Sequence, residues 1–110
     1  MIESASQNNR RTHRKACSLA VDYSVGGRFF SGLAKDISLE GVFIENRHPG
    51  AVGEPVQLTL TSPELPKPLK LDGAIVRTTK DGIGVRFNKH HATQNEVLQV
   101  LVDRIKGGWL

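Results

Sequence analysis

From Ala16 onward apolar and polar residues alternate with a period of two. Cys17, Leu19, Val21 and Tyr23 interleave with Ser18, Ala20 and Asp22, as in a strand with one face in a core. Gly26-Gly27 is a turn signal and predicts a returning strand over Arg28 to Ala34. Gly41 to Glu45 is a short β-branched and aromatic run, and His48-Pro49-Gly50 with Gly53 marks a loop. Val56, Leu58 and Leu60 alternate with Gln57, Thr59 and Thr61 to predict a fourth strand. Pro63, Pro66 and Pro68 exclude ladder pairing after it, because each lacks an N–H. Leu69 to Thr78 is the longest strand candidate, with Gly73 as its expected bulge or kink. After a turn at Thr79 to Gly82, Ile83, Val85 and Phe87 alternate with Gly84 and Arg86.

The period then changes. Val97, Leu98, Leu101, Val102 and Ile105 fall on one helical face, Thr93 and Glu96 have capping-box spacing, and Gly107 suits a helix stop. Six short strands followed by one amphipathic helix make a mainly β domain, a small barrel or sandwich with the helix over one open end. Residues 1–9 read as a polar, flexible tail and 10–110 as a single domain.

Composition narrows the class. The chain has 110 residues, 38% of them hydrophobic, and one cysteine. One cysteine excludes an internal disulfide and any multi-cysteine zinc site. No apolar run approaches the roughly 20 residues of a membrane span, and Met1 to Asn9 has no apolar stretch for a signal peptide. A cytoplasmic setting is the expectation. Charge is more telling: 15 Lys and Arg face 11 Asp and Glu, and four of the cations, Arg10, Arg11, Arg14 and Lys15, lie within six residues. Without them the balance is 11 against 11, so one short segment carries the whole excess. A compact anion suits such a point of charge better than a long polyanion, which is usually met by basic residues spread along a face.

Little supports catalysis, and the chain is not expected to be an enzyme or to hold a metal or cofactor. His90 and His91 are adjacent and so diverge on either a strand or a helix, and Cys17 sits in an apolar alternation that suits a core thiol. No glycine-rich loop joins a strand to a helix. The arginines differ in quality. Guanidinium groups bind phosphate in pairs of hydrogen bonds, stack on flat rings and match the O6/N7 edge of guanine. A second constellation is Asp36-Ile37-Ser38-Leu39-Glu40-Gly41. Asp36 and Ser38, two apart on an extended segment, point the same way, and a carboxylate accepts from guanine N1–H and N2–H2. Gly41 allows close approach of backbone or ligand. The same six residues also suit an ordinary turn before the strand Gly41 to Glu45.

In this order and separation, Arg10-x-x-x-Arg14 and then Asp36-x-Ser38-x-x-Gly41 resemble the PilZ domain. So does Gly82-Ile83-Gly84-Val85-Arg86-Phe87, which closes a long strand containing Ala74-Ile75-Val76-Arg77. The resemblance runs from about Asn9 to the helix. It implies a six-stranded antiparallel β-barrel with a C-terminal helix that binds cyclic di-GMP, a bacterial second messenger of the kind that governs motility and biofilm formation. Arg10 and Arg14 then stand where the family grips guanines and phosphates, and Asp36, Ser38 and Gly41 where it reads a guanine on the barrel surface. Arg11 and Lys15 are expected to add longer-range attraction.

A receptor of one domain must pass its signal to a protein partner, and the expected device is an arm, about Asn8 to Lys15, that becomes ordered on binding. Two other readings stay open. One is an OB-like nucleic-acid binder with a basic arm, weakened by aromatics at only 5%, too few for base-stacking platforms. The other is a ligand-independent adaptor using Phe29, Phe30, Phe43 or Trp109, although Phe43 and one of Phe29 and Phe30 read better as core.

Overall fold

The computed structural model describes residues 14–46 and 50–105. All six expected strands form: β1 (Lys15–Val25), β2 (Arg28–Ile37), β3 (Gly41–Glu45), β4 (Pro55–Thr61), β5 (Leu69–Thr79) and β6 (Gly82–Phe87), followed by α1 (Ala92–Arg104). Gly26 and Gly27 join β1 to β2 with φ of 59° and 79°, a left-handed pair that matches the twist of a two-residue hairpin and that side chains disfavour. The strands close into a barrel in the order β1-β2-β3-β6-β5-β4, each pair antiparallel, with β4 returning to β1.

The inward positions form one core. Val21, Ile37, Val42, Ile44, Val56, Leu60, Ile75 and Ile83 are fully buried, each removing apolar surface from water. Tyr23 stacks on Phe30, its cross-strand partner, at 5.4 Å between ring centroids. Phe29 is 85% exposed, so Phe30 is the core member of that pair. Phe43, expected in the core, instead lies half-buried on the outer wall, because Val42 and Ile44 on either side of it point inward.

Helix α1 runs across one end of the barrel. Near its start Gln94 donates to the carbonyl of Lys70 on β5, and near its finish Lys15 at the head of β1 donates to the carbonyls of Val102 and Asp103. Leu98, Leu101 and Val102 complete the core beneath it. The helix begins earlier than the Thr93–Glu96 spacing implied: His91 is the N-cap, and Gln94 reaches back to accept from its N–H. It ends at Arg104, before Gly107, which lies outside the described residues. No helix among the described residues is long and apolar enough to cross a membrane.

Three strands carry an irregularity, and these decide which side chains face out. β1 has an extra residue between Ala16 and Leu19, β2 between Ala34 and Asp36, and β5 between Ile75 and Arg77. The bulge in β5 is therefore not at Gly73. That glycine pairs regularly with Val56 and Phe87, and a Cβ on it would lie 2.4 Å from the carbonyl oxygen of Arg86, so close packing of β6 explains the residue.

Candidate functional site

The β2 bulge turns Asp36 outward. Strict alternation from the buried Ala34 would put the carboxylate inside the barrel, whereas the inserted residue brings it to the wall with Phe43 as its cross-strand partner. Outside, it forms an ion pair with Nε of Arg14, 22 residues away in sequence. The two motifs thus meet directly. Arg14 precedes β1 by one residue, and pairing of Lys15 with Ile37 carries it alongside the end of β2.

Ser38 has a different place from that expected. It is 1% exposed, beyond the end of β2, and faces into the turn instead of sharing a side with Asp36. Its Oγ accepts from the N–H groups of Glu40 at 3.0 Å and Gly41 at 3.1 Å, while its own N–H donates to the Gly41 carbonyl at 2.9 Å. The hydroxyl therefore builds the β2–β3 turn. Gly41 is required there by backbone: a Cβ would lie 2.4 Å from the carbonyl oxygen of Val85. The N–H of Phe87 donates to the carbonyl of Glu40, tying the turn to β6.

A cleft of about 180 Å³ lies beside this turn, bounded by Arg14, Ser38, Glu40, Gly41, Val76 and Arg86. Its neighbour, a groove of about 540 Å³, shares Glu40 and Arg86 and continues past Lys89. Arg86 stands between the two. It was not among the expected site residues, although its outward position in the β6 alternation was visible; what was missing was that β6 lies next to β3, with Arg86 opposite Gly41. Val76, 52% exposed, is outward by the same alternation that buries Leu69, Leu71 and Ile75, and it too reaches this cleft only because β5 lies next to β6. A larger groove of about 730 Å³ between the loop 62–68 and α1 is mostly apolar and holds none of the motif residues.

Arg10 and Arg11 lie outside the described residues, as do 1–9 and Trp109. The arm expected to span Asn8 to Lys15 needs correction at its end. Arg14 is held by Asp36, and Lys15 is 8% exposed and bound to the helix, so neither awaits a ligand to be placed. Lys15 belongs to the scaffold, not to a solvated basic cluster. His90 accepts from the N–H of Asp72 and packs its ring edge-on against Phe87, and so anchors the link to α1. Cys17 is half-buried and donates to the Ala34 carbonyl, and burial, with the Asp36 charge, pushes its thiol up to about 11.

Comparison with known proteins agrees with this architecture. The family model of the PilZ domain matches residues 8–104. Among solved structures, the PilZ domain of CeSA from a cellulose-synthesizing bacterium is similar at 19% identity and a TM-score of 0.71, over 83% of this chain and 95% of that one. The Bacillus subtilis inhibitor of motility, MotI/DgrA, is similar at 17% identity and a TM-score of 0.73, over 86% of this chain and 50% of that one. This chain thus spans about half the length of the second. No curated protein matches in sequence.

Proposed function

This chain belongs to the PilZ domain family, whose members are generally cyclic di-GMP receptors, and we propose that it binds cyclic di-GMP at the Arg14–Asp36 pair and the cleft that Arg14 lines. The observation that carries the reading is the meeting of two motifs at one place: the last arginine of Arg10-x-x-x-Arg14 is paired with the aspartate of Asp36-x-Ser38-x-x-Gly41. Arg14 binds ligand phosphate or the O6/N7 edge of a guanine, and Asp36 accepts from guanine N1–H and N2–H2. Ser38 acts through the turn it holds, and Gly41 lets that turn lie close to β6. Arg10 supplies a second guanidinium for the ligand, with Arg11 adding charge.

Nothing in this chemistry requires a catalyst, so the domain is read as a receptor, without cofactor, whose output falls on a protein partner. A fold relative described as an inhibitor of motility supports such an output. The nucleic-acid reading is further weakened because the aromatic surface of the described residues is sparse, with Phe29 alone strongly exposed.

Calorimetric titration with cyclic di-GMP tests the proposal, with GTP and a short oligonucleotide as controls. Binding of cyclic di-GMP alone, lost in Arg14→Ala, is the expected result. Equal binding of the oligonucleotide, or no binding of cyclic di-GMP, overturns it.

A further inference from the structure

Two guanidinium groups on the outer wall, Arg77 and Arg86, have no carboxylate partner among the described residues. Arg86 lines the cleft already described. Arg77 is set by the β5 bulge, which gives β5 one more residue than β6 between Ile75 and Arg77 and leaves both Val76 and Arg77 exposed. From there Arg77 lies flat across β6. Its Cβ and Nε come within 3.5 and 3.6 Å of the point a Cβ on Gly84 would occupy, and its Cζ is 5.6 Å from the centroid of the Phe43 ring.

Register makes these contacts part of one row. Asp36 is paired with Phe43, Phe43 with Gly84 and Gly84 with Arg77, so the row crosses β2, β3, β6 and β5. Three strand spacings separate Asp36 from Arg77, about 14 Å. One end reads the edge of a base through a carboxylate. The other end offers a phenyl face and a guanidinium plane, with no side chain on Gly84 between them.

We propose that Phe43 and Arg77 form a stacking clamp that takes one flat heteroaromatic ring of the ligand between them, with Arg86 alongside to bind a phosphate. The proposal rests on the cyclic dinucleotide reading of the cleft and extends that site across β3, β6 and β5. Guanidinium and phenyl both present a face to a base, and base–aromatic stacking tolerates any base because each has a π-face. Opening the pair takes a rotamer change of one exposed side chain, with the strands left in place. The exposed Val76 gives the clamp an apolar edge on the side of the cleft.

The test is calorimetric titration of cyclic di-GMP into the wild type and into Arg77→Ala, Arg77→Lys, Phe43→Leu and Arg14→Ala, each checked for folding by circular dichroism. Arg77→Ala and Phe43→Leu are expected to weaken binding about ten-fold each, the size of one lost stacking contact. Arg77→Lys keeps the charge and loses the plane, so it should bind as poorly as Arg77→Ala. The double variant Arg77→Ala/Phe43→Leu should be little worse than either single one, because the two residues hold the same ring. Wild-type affinity in Arg77→Ala, or full rescue by lysine, overturns the clamp while loss in Arg14→Ala leaves the cleft standing. Should Phe43→Leu fail to fold, the two Arg77 variants decide. A wild type that takes up no cyclic di-GMP overturns the clamp and the underlying site together.

Discussion

Lys15 donates from Nζ to the backbone carbonyl of Val102 at 3.0 Å, joining the head of β1 to the last turn of α1 across 87 residues of chain. A second contact reaches the carbonyl of Asp103 at 3.3 Å. The ammonium thus meets carbonyls at the negative end of the helix dipole, which lack partners within the helix. Its neighbour Arg14 faces the opposite way, toward Asp36. Adjacent residues therefore serve the candidate site and the scaffold.

Lys15→Met should lower stability by about 2 kcal/mol, the usual worth of hydrogen bonds from a charged donor. Denaturant unfolding measures it. Because the ammonium is buried, added salt should change the loss little. A loss that vanishes in salt would return Lys15 to the role of a surface cation.

Arg14→Ala should leave stability within about 1 kcal/mol of wild type, since a partly exposed ion pair contributes little to folding. Its effect should fall on the ligand: a ten-fold or greater loss of cyclic di-GMP affinity, corresponding to about 1.5–3 kcal/mol for a charge-assisted contact. Asp36→Asn should also weaken binding and narrow the preference for cyclic di-GMP over cyclic di-AMP, because only guanine presents N1–H and N2–H2 together. Parallel titrations with the two ligands check both.

Ser38→Ala and Gly41→Ala should behave differently from these, losing stability first. Removing the Ser38 hydroxyl leaves the N–H groups of Glu40 and Gly41 without their acceptor, at a cost of about 1–3 kcal/mol. A methyl on Gly41 collides with the Val85 carbonyl and pushes β3 from β6, costing on the order of 1–3 kcal/mol. Thermal melts alongside titrations separate the two classes: a Ser38→Ala protein that melts as wild type but binds poorly would make the hydroxyl a direct ligand contact.

Cys17 gives a pH prediction. Burial, then the Asp36 charge, raises the thiol from 9.0 to about 11 in the folded chain. The protonated form is the one folding favours, so this contribution to stability is whole below pH 9 and is lost as pH rises through 11. Alkylation should be slow at neutral pH and accelerate with a midpoint near 11 in folded protein, against about 9 in denaturant. An inflection near 8 in folded protein would mean a thiol far more open to water and cations than the structure has it.

Much of the architecture was legible from residues alone, because it rests on local physics. Period-two alternation at Val56, Leu58 and Leu60 makes a strand wherever one face is buried, Gly26-Gly27 makes a hairpin by its backbone freedom, and Val97 to Ile105 makes a helix by its spacing. The two motifs were visible as well, and with them Arg14, Asp36 and Gly41. Tertiary structure decided the rest. Alternation cannot announce its own interruptions, so the bulges that turn Asp36 and Arg77 outward left no mark in the pattern. Nor does it encode strand order, so the adjacency of β3 and β6, which brings Arg86 opposite Gly41 and Phe43 beside Arg77, came only with closure of the barrel. Lys15 is the sharpest case: in sequence it is one more cation in a basic run, and only a helix end folded over it from the far end of the chain makes it a buried donor.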